Sequence, residues 1–236
     1  KRSFFIMTYL DSDMKSSLII PTLNEVVGMK KIIPLIKKEW VDEIIIVDGG
    51  STDGTIEEAK KMGLKVIKQT TKGKHGAAIH DGFEYTDADI LIMFGADGNN
   101  EPDEIPKIIS KMKEGYDQVI VTRFSKTSIN DDAGLIDGFG NKMFTFLANV
   151  FYGGHLIDAL SSSRAITRKA WDEIKLDDFD MTLVYQMSIR GLIKKQKIID
   201  IDGNEPARIG GKRKMHRIPT AIKLTSQLIS EFFWKG

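Results

Sequence analysis

Short apolar runs that stop abruptly at polar residues constrain the fold of this chain more than any other feature. The clearest run, Ile90–Met93, consists of four apolar side chains and is followed by Gly95, Asp97 and Asn99. A strand that is apolar at every position is buried on both faces, as the strands of a parallel sheet are. Open α/β sheets bind ligands outside the carboxyl ends of their strands, so the polar residues after this run are candidates for a binding site.

Similar runs alternate with helix-like segments along the chain. The sequence predicts strands at residues 17–20, 43–47, 64–67, 90–94 and 118–121, with amphipathic helices between them, including 27–39 and 55–62. After residue 123 it predicts a loop over 124–137, a helix over 140–153, strands near 161–167 and 197–201, helices near 168–174 and 181–191, and a C-terminal amphipathic helix. This alternation is typical of an α/β fold with a mostly parallel sheet flanked by helices.

Composition narrows the function classes. Lys and Arg total 34 against 33 Asp and Glu, so global charge gives no reason to expect a nucleic-acid partner. Without cysteine there is no disulfide framework, Cys-ligated zinc or thiol nucleophile, which fits a reducing compartment. The predicted organisation is a lead-in over residues 1–16, one domain over 17–217 and a C-terminal helix over 218–236, and no apolar run is long enough to span a membrane.

Asp48 ends the second predicted strand and precedes a glycine-rich turn that includes Gly49, Gly50 and Gly54. A strand-terminal carboxylate beside such a turn can accept hydrogen bonds from the base or ribose of a nucleotide. The alternative is that Asp48 only caps the following helix, together with Ser51.

Asp97 and Asn99 follow a different strand. Residues i and i+2 of an extended segment point to the same side, so both side chains can face one cation. Oxygen ligands without Cys or His suit Mg²⁺ or Mn²⁺. Helix capping by Asn99 or Asn100 is the alternative.

Eight motifs in a fixed order carry a resemblance to a known family. They are IIPTLNE, VDGGSTDGT, KGKHGAAIHDGF, GADGN, VIVTRF, GNKMF, DALSSSRAI and RIGGKRK, and the resemblance covers residues 17–215. The chain resembles inverting family 2 glycosyltransferases of the GT-A fold, and most closely the polyprenyl (dolichyl) phosphate sugar transferases. The resemblance implies a UDP- or GDP-sugar donor, a polyprenyl phosphate acceptor and a Mg²⁺ or Mn²⁺ cofactor.

The same resemblance assigns residues to the donor side. Those matched to nucleotide-sugar binding are Pro21, Thr22, Leu23, Glu25, Asp48, Lys74 and Asp97. In the metal motif Asp97 is the principal ligand and Asn99 its support, while Gly95 stands where the family has its first aspartate.

On the acceptor side the resemblance points to basic and hydroxyl residues. Those matched to the acceptor phosphate are Arg123, Ser161, Arg164, Arg208, Lys212 and Lys214. Two alternatives stay open: Asp158 and Arg164 can form a structural ion pair, and the basic cluster around Lys212 can be a solvated loop. Of the acidic helix start of the family only Asp180 keeps a carboxylate.

The candidate catalytic set is therefore Asp97, Arg123, Arg208 and Asp180. A phosphate monoester has a second pKa near ~6 and is already an anion at neutral pH, so a polyprenyl phosphate acceptor needs no general base. Asp180 is the fallback base if the acceptor is instead a soluble or glycan hydroxyl. A second rival is a nucleotide-sugar binding protein whose catalysis is impaired by Gly95.

The C-terminal segment indicates where in the cell the protein acts. Five basic residues lie in 208–217, and apolar residues then recur at near-helical spacing through 218–233. This composition is typical of a helix that lies in a membrane interface, whereas the alternative is a helix that docks on the core. The aromatic helix over 140–153 offers the same two interpretations. A polyprenyl acceptor favours the membrane interpretation and predicts a peripheral protein at the cytoplasmic face.

Overall fold

The fold is a single seven-stranded sheet covered by helices, as predicted. The computed structural model describes residues 14–71, 74–130, 134–209 and 216–236, so most of the predicted lead-in lies outside the described residues. The strands are β1 (Ser16–Thr22), β2 (Glu43–Asp48), β3 (Lys65–Lys68), β4 (Ile90–Met93), β5 (Gln118–Thr122), β6 (Arg164–Thr167) and β7 (Ile198–Asp202). The helices are α1 (Val26–Ile32), α2 (Thr55–Lys61), α3 (His75–Tyr85), α4 (Glu104–Lys113), α5 (Leu135–Tyr152), α6 (Arg168–Ile174), α7 (Leu183–Ile193) and α8 (Arg217–Ser230).

The strand order brings the predicted site residues to one end of the sheet. The order is β3-β2-β1-β4-β6-β5-β7, and only β6 runs antiparallel to its neighbours. Thr22 pairs with Asp48, so β1 and β2 end side by side, and Met93 of β4 pairs with Ile19. Since β6 is reversed, its first residue Arg164 lies at the same end as the last residues of β4 and β5.

The apolar strands are buried on both faces because helices cover both sides. Ile92 of β4 packs in a cluster with residues of α1 and α4. Its neighbour Leu91 packs in a second cluster with residues of α3, α6 and α7. Adjacent residues of a strand point to opposite faces, so one short apolar run contributes to two cores.

Two predicted boundaries are wrong. The helix predicted over 27–39 ends at Ile32, and two separate 3₁₀ turns, Ile33–Leu35 and Lys38–Trp40, follow it. Pro34 explains the break, because proline has no N–H to donate and its ring clashes with the carbonyl four residues back. The loop predicted over 124–137 is also shorter than expected, since α5 begins at Leu135.

The C-terminal helix docks on the core with one side, as one interpretation predicted, while its contact with a membrane stays a prediction. Leu224 and Leu228 of α8 are buried in a cluster with residues of α5 and α7. Ile218, Ile222 and Ile229 of the same helix remain exposed. No helix in the described part of the chain is long and apolar enough to cross a bilayer.

A buried ion pair ties the C-terminal segment to the domain. Glu231, just after α8, accepts from the guanidinium of Arg190 in α7 at 2.7 Å, and both side chains are almost fully buried. Gln186 also donates to Glu231 at 2.8 Å, and the ring of Trp234 stacks over Arg190 at 4.6 Å. The end of the described chain is therefore a structural element as well as an exposed surface.

We expect Glu231→Ala to lower the free energy of unfolding by about 3–5 kcal/mol, because it leaves the buried Arg190 charge without its main partner. Urea denaturation measures this loss. The matched control is Glu173→Ala, which removes an exposed glutamate of α6, and it should change stability by less than about 0.5 kcal/mol. A Glu231→Ala loss no larger than that of the control would contradict a structural role for the pair.

Candidate active site

The loops after β1 and β2 are joined through Asp48. Its carboxylate is buried and accepts from the backbone N–H groups of Gly50 and Ser51, both at 2.8 Å. The hydroxyls of Ser51 and Thr22 donate to its other oxygen at 2.6 and 3.1 Å. Asp48 thus braces the glycine-rich turn, but it does not cap α2, whose N-cap is Gly54, so the capping alternative is wrong. Its contact with a nucleotide base stays a prediction.

Asn24 is a residue of this region that sequence reasoning missed. It adopts a positive φ of 58°, and its side-chain oxygen accepts from the Thr52 N–H at 2.8 Å. Its own N–H donates to the Ser51 hydroxyl at 2.9 Å. Asparagine tolerates this left-handed backbone better than most residues, which is the signal that could have identified it. The predicted nucleotide-binding segment over residues 21–25 is consequently held against the β2 loop.

The predicted metal loop follows β4 and is closed by side-chain contacts of its own. Asp97 Oδ1 accepts from the Asn99 N–H at 3.2 Å, and Asn100 Oδ1 accepts from the Gly95 N–H at 2.9 Å. The Asp97 carbonyl accepts from the Ile209 N–H at 2.8 Å, so the loop also contacts the segment after β7. A side-chain role for Asn99 at a metal remains a prediction.

Arg208 connects the metal loop with the nucleotide segment. Its Nη1 lies 2.8 Å from Asp97 Oδ2 and 4.0 Å from Glu25 Oε1. Its Nε is buried and has no acceptor among the residues that the structure describes. Three predicted site residues that are far apart in sequence therefore meet at one point, and the arginine keeps a donor for an anionic ligand.

The donor set at this point fits a hard divalent cation. Within the described residues no group of three or more His, Cys, Asp or Glu side chains could hold a metal by itself. Mg²⁺ is usually held by one or two carboxylates together with substrate phosphates, so a complete protein cage is not required. Asp97 and Glu25 both approach the same Arg208 nitrogen, at 2.8 and 4.0 Å, so a divalent cation that displaced the guanidinium would meet carboxylate oxygen ligands here.

Arg123 lies in a charged cluster at the end of β5. Its guanidinium donates to both oxygens of Asp158, at 2.8 and 3.0 Å, and to Glu205 at 2.9 Å. Burial by itself lowers the pKa of Arg123, but the charges of Asp158 and Glu205 outweigh it and raise the net value. Burial likewise opposes ionisation of Asp158, yet the Arg123 charge brings the pKa of this carboxyl below its usual range. Asp158 therefore pairs with Arg123, and the alternative of an ion pair with Arg164 is wrong.

Arg164 and Ser161 do not lie on the surface of the site. Arg164 is completely buried and donates to the carbonyls of Ser161, Val184 and Ala159 and to the Ser188 hydroxyl, at 2.8–3.1 Å. Burial lowers its pKa to about 10. Ser161 is also buried. The structure places both residues in the core beneath the 158–161 segment, so their assignment to the acceptor phosphate is corrected: they support that segment from within.

Asp180 lies between α8 and the start of α3. Lys223 of α8 forms an ion pair with its carboxylate, and the preceding carbonyl of Phe179 accepts from the Ala77 N–H at 3.0 Å. The pKa of Asp180 is lowered, chiefly by the Lys223 hydrogen bond, with a smaller effect from the charge of Lys74. Lys74 itself is exposed at the beginning of α3, so the predicted donor side and Asp180 share this corner of the molecule.

Glu104 is a buried carboxyl whose position the sequence did not reveal. It accepts from the Asn204 N–H at 3.2 Å and from the Ser163 hydroxyl at 3.3 Å. Burial raises its pKa to about 7. Glu104 links the start of α4 to the segment that leads from β7 to Arg208. The predicted acceptor residues Lys212 and Lys214, further along that segment, lie outside the described residues.

Sequence comparison identifies relatives of this chain. The profile of the family described as Glycosyl transferase family 2 matches residues 17–175. Glycosyltransferase AglJ of Haloferax volcanii is 30% identical over 173 residues, which cover 73% of this chain and 56% of that protein. The dolichol-phosphate mannosyltransferase of Pyrococcus furiosus is 25% identical over 232 residues, covering 94% of this chain and 65% of that protein. The chain thus spans less than two thirds of either relative.

Structure comparison confirms the predicted fold. The glucosyl-3-phosphoglycerate synthase of Mycobacterium tuberculosis, crystallised with Mn²⁺, UDP and glucosyl-3-phosphoglycerate, superposes with a TM-score of 0.73. The match covers 96% of this chain and 83% of that chain at 20% sequence identity. The fold is GT-A, with a mostly parallel sheet and a C-terminal helix.

Gly28 of α1 determines how closely that helix approaches the metal loop. A Cβ atom at Gly28 would collide with the carbonyl oxygen of Ala96 and lie 3.0 Å from the Cα of Asp97. We expect Gly28→Ala to displace the loop and to cost about 1–3 kcal/mol of stability, since the obstructing atoms are backbone. The melting temperature, measured by thermal unfolding, and the affinity for Mn²⁺, measured by titration calorimetry, should both fall.

Gly140 of α5 provides the matched control, because a Cβ there meets nothing within 4 Å. Gly140→Ala should leave Mn²⁺ binding unchanged and raise stability by roughly 0.5–1 kcal/mol through helix propensity. Unchanged Mn²⁺ binding in Gly28→Ala would show that the close approach does not position Asp97.

Proposed function

Because this chain belongs to glycosyl transferase family 2, we propose that it transfers a hexosyl group, with inversion, from a UDP- or GDP-sugar to a polyprenyl phosphate. In this reaction an oxygen of the acceptor phosphate attacks the anomeric carbon. The bond from that carbon to the diphosphate oxygen breaks, and the nucleoside diphosphate leaves. The observation that carries the proposal is the meeting of Glu25, Asp97 and Arg208 at the carboxyl end of a GT-A sheet.

The donor would bind over the loops after β1 and β2. Residues 21–25 are fixed against the β2 loop by Asn24 and by the Thr22 bond to Asp48, so they offer a preformed surface to the nucleotide. Lys74, exposed at the start of α3, would contact the ribose or base from the other side. A preformed site avoids the entropy cost of ordering loops during binding.

Asp97, with Asn99 as support, would hold Mg²⁺ or Mn²⁺. When bound, the ion neutralises charge on the departing diphosphate. Arg208 would then exchange Asp97 for a phosphate oxygen, using Nη1 and the Nε that lacks an acceptor among the described residues. The guanidinium would thereby stabilise the negative charge that develops as the nucleotide leaves.

The environment of Asp180 supports a phosphate acceptor over a hydroxyl. Lys223 neutralises this carboxylate and lowers its pKa, which makes it a weaker base. A hydroxyl acceptor needs a base, whereas a phosphate is already ionised. After its bonds to Asp158 and Glu205, Arg123 still has one N–H on each terminal nitrogen. These two N–H groups would hold the acceptor phosphate. Lys212 and Lys214 would add positive charge for the same phosphate.

An apolar face shared by two helices supports contact with a membrane. The exposed apolar residues of this face are Ile136, Phe139, Met143, Phe146 and Val150 of α5 and Ile218, Ile222, Ile229 and Phe233 of α8 and the turn after it. Arg217 of α8 holds Asp137 of α5 with two hydrogen bonds, and Phe232 packs on Phe151 and Tyr152 at the other end. An amphipathic helix that follows a basic cluster, such as the one in residues 208–217, is typical of segments that lie in the headgroup region. We place the protein at the cytoplasmic face of the membrane as a peripheral enzyme.

We expect Asp97→Ala to reduce sugar transfer by roughly 100-fold or more, the range seen when a charge-stabilising group is lost from an active site. Its melting temperature should not fall, because Asp97 is only partly buried. The assay uses radiolabelled nucleotide sugars with extraction of the lipid product, with and without EDTA.

Asp103→Ala is the control, since this exposed aspartate lies six residues further along and caps no helix through its side chain. Activity that survives both Asp97→Ala and EDTA would overturn the metal assignment. A labelled product that stays in the aqueous phase would favour a soluble acceptor, and donor binding without any product would favour a binding protein.

To test the membrane face, we expect Ile222→Glu and Phe139→Glu to weaken sedimentation of the protein with anionic vesicles. Each should also reduce transfer to a long-chain polyprenyl phosphate by roughly 10-fold, because one large apolar side chain is no longer buried in the lipid. Transfer to a short, water-soluble analogue should not change. Binding of the wild-type protein to the anionic vesicles should fall as salt concentration rises.

Point variants are preferable to deletion of residues 219–236, because deletion also removes the buried partner of Arg190. Leu35→Glu is the control, an exposed apolar residue in the turn after α1. Equal losses on long and short acceptors would show that the face does not meet the lipid.

A further inference from the structure

The space beside Gly95 is filled by a side chain from further along the loop. A Cβ atom built on Gly95 would lie 2.7 Å from Asn100 Oδ1 and 3.1 Å from Asp97 Oδ1. The carboxamide of Asn100 therefore occupies the region that a longer side chain at position 95 would enter, directly beside the Asp97 carboxylate.

The oxygen of the Asn100 carboxamide is held by a hydrogen bond, whereas its nitrogen has no acceptor among the described residues. Its Oδ1 accepts from the Gly95 N–H at 2.9 Å, which fixes the orientation of the amide. No residue that the structure describes accepts a hydrogen bond from its Nδ2, and the side chain is only half-buried. Two N–H donors thus remain on the loop that carries Asp97 and are available to a ligand.

The substitution of an amide for an acid changes what this position recognises. A carboxylate at position 95 would only accept hydrogen bonds and would add a second negative charge beside Asp97. The carboxamide nitrogen donates instead, so it favours an oxygen that carries lone pairs or negative charge. A nucleoside-diphosphate sugar presents such oxygens on its diphosphate and on its sugar hydroxyls.

We propose that Asn100 stands in for the side chain that Gly95 lacks and donates a hydrogen bond from Nδ2 to an oxygen of the sugar donor. This inference rests on the proposed function, because it requires a nucleotide sugar at Asp97. It makes Gly95 and Asn100 one functional pair: an aspartate restored at position 95 displaces Asn100 unless residue 100 is also made smaller.

The test compares Asn100→Asp with Asn100→Ala. Aspartate has nearly the same shape and still accepts from the Gly95 N–H, but it has no N–H to donate. Binding of UDP, GDP and their glucose and mannose conjugates is measured by calorimetry at saturating Mn²⁺. Mn²⁺ binding without nucleotide is measured by electron paramagnetic resonance, and loop integrity by thermal unfolding.

We expect both variants to bind the preferred nucleotide sugar roughly 10-fold more weakly, the loss of one hydrogen bond to a charged or strongly polar oxygen. Asn100→Asp should keep the wild-type melting temperature and bind Mn²⁺ more tightly, because it adds a carboxylate beside Asp97. Equal losses for the nucleotide sugar and for the nucleoside diphosphate identify a diphosphate oxygen as the acceptor. A loss confined to the sugar conjugate identifies a sugar hydroxyl.

Gly95→Asp and Gly95→Asp/Asn100→Ala complete a double-mutant cycle. The proposed pair predicts that the second change partly rescues donor binding in the first, so the two effects are not additive. Wild-type donor affinity in Asn100→Asp, or a loss in Asn100→Ala that appears only with a lower melting temperature, would overturn the inference alone. If the wild-type protein binds no nucleotide sugar, the proposed function fails and the inference fails with it.

Discussion

The burial of carboxylates at the strand ends is the constraint on which this site depends. The parallel register of β1 with β2 and β4 brings several polar strand ends together between helices that cover both faces of the sheet. A carboxylate removed from water is costly unless it is paired or hydrogen-bonded. Asp48 meets this requirement with loop N–H groups and hydroxyls, Asp158 with Arg123, and Asp97 with Arg208.

These pairs fall into two kinds that differ in exposure. Asp158 with Arg123 and Glu231 with Arg190 include fully or almost fully buried carboxylates; the first pair lies beside the site, and the second holds the C-terminal segment on α7. Asp97 with Arg208 is partly exposed, so a ligand can reach it and exchange with either partner. The fold thus combines permanent ion pairs with one that a ligand can exchange. This division explains how the charged residues of one fold contribute both to stability and to binding.

The sequence predicted the sheet well because each apolar run has a strong and local signal. The family resemblance also put Asp97 and Arg208 in one candidate catalytic set, but their direct ion pair was not predicted. It could not predict that Arg164 turns into the core, because the chain position of an arginine does not determine which carbonyls its side chain will reach. The roles of Gly28 and Asn100 were not predicted for a related reason. Each depends on a close contact, of Gly28 with the backbone of the metal loop and of Asn100 with Gly95, that only the folded chain defines. The helix over 27–39 was overpredicted because periodicity outweighed the local effect of Pro34.

The bond between Arg208 and Asp97 has a thermodynamic consequence. A divalent cation and the guanidinium compete for one carboxylate, so the apparent cation affinity equals the intrinsic affinity multiplied by the fraction of molecules in which Arg208 has withdrawn. A diphosphate offers the displaced guanidinium a new partner and raises that fraction. On the proposed function, cation and nucleotide would therefore bind with positive cooperativity, and reciprocity would require each to increase the affinity for the other by the same factor. The arginine that pairs with Asp97 in the free protein would then be the residue that couples the two proposed ligands.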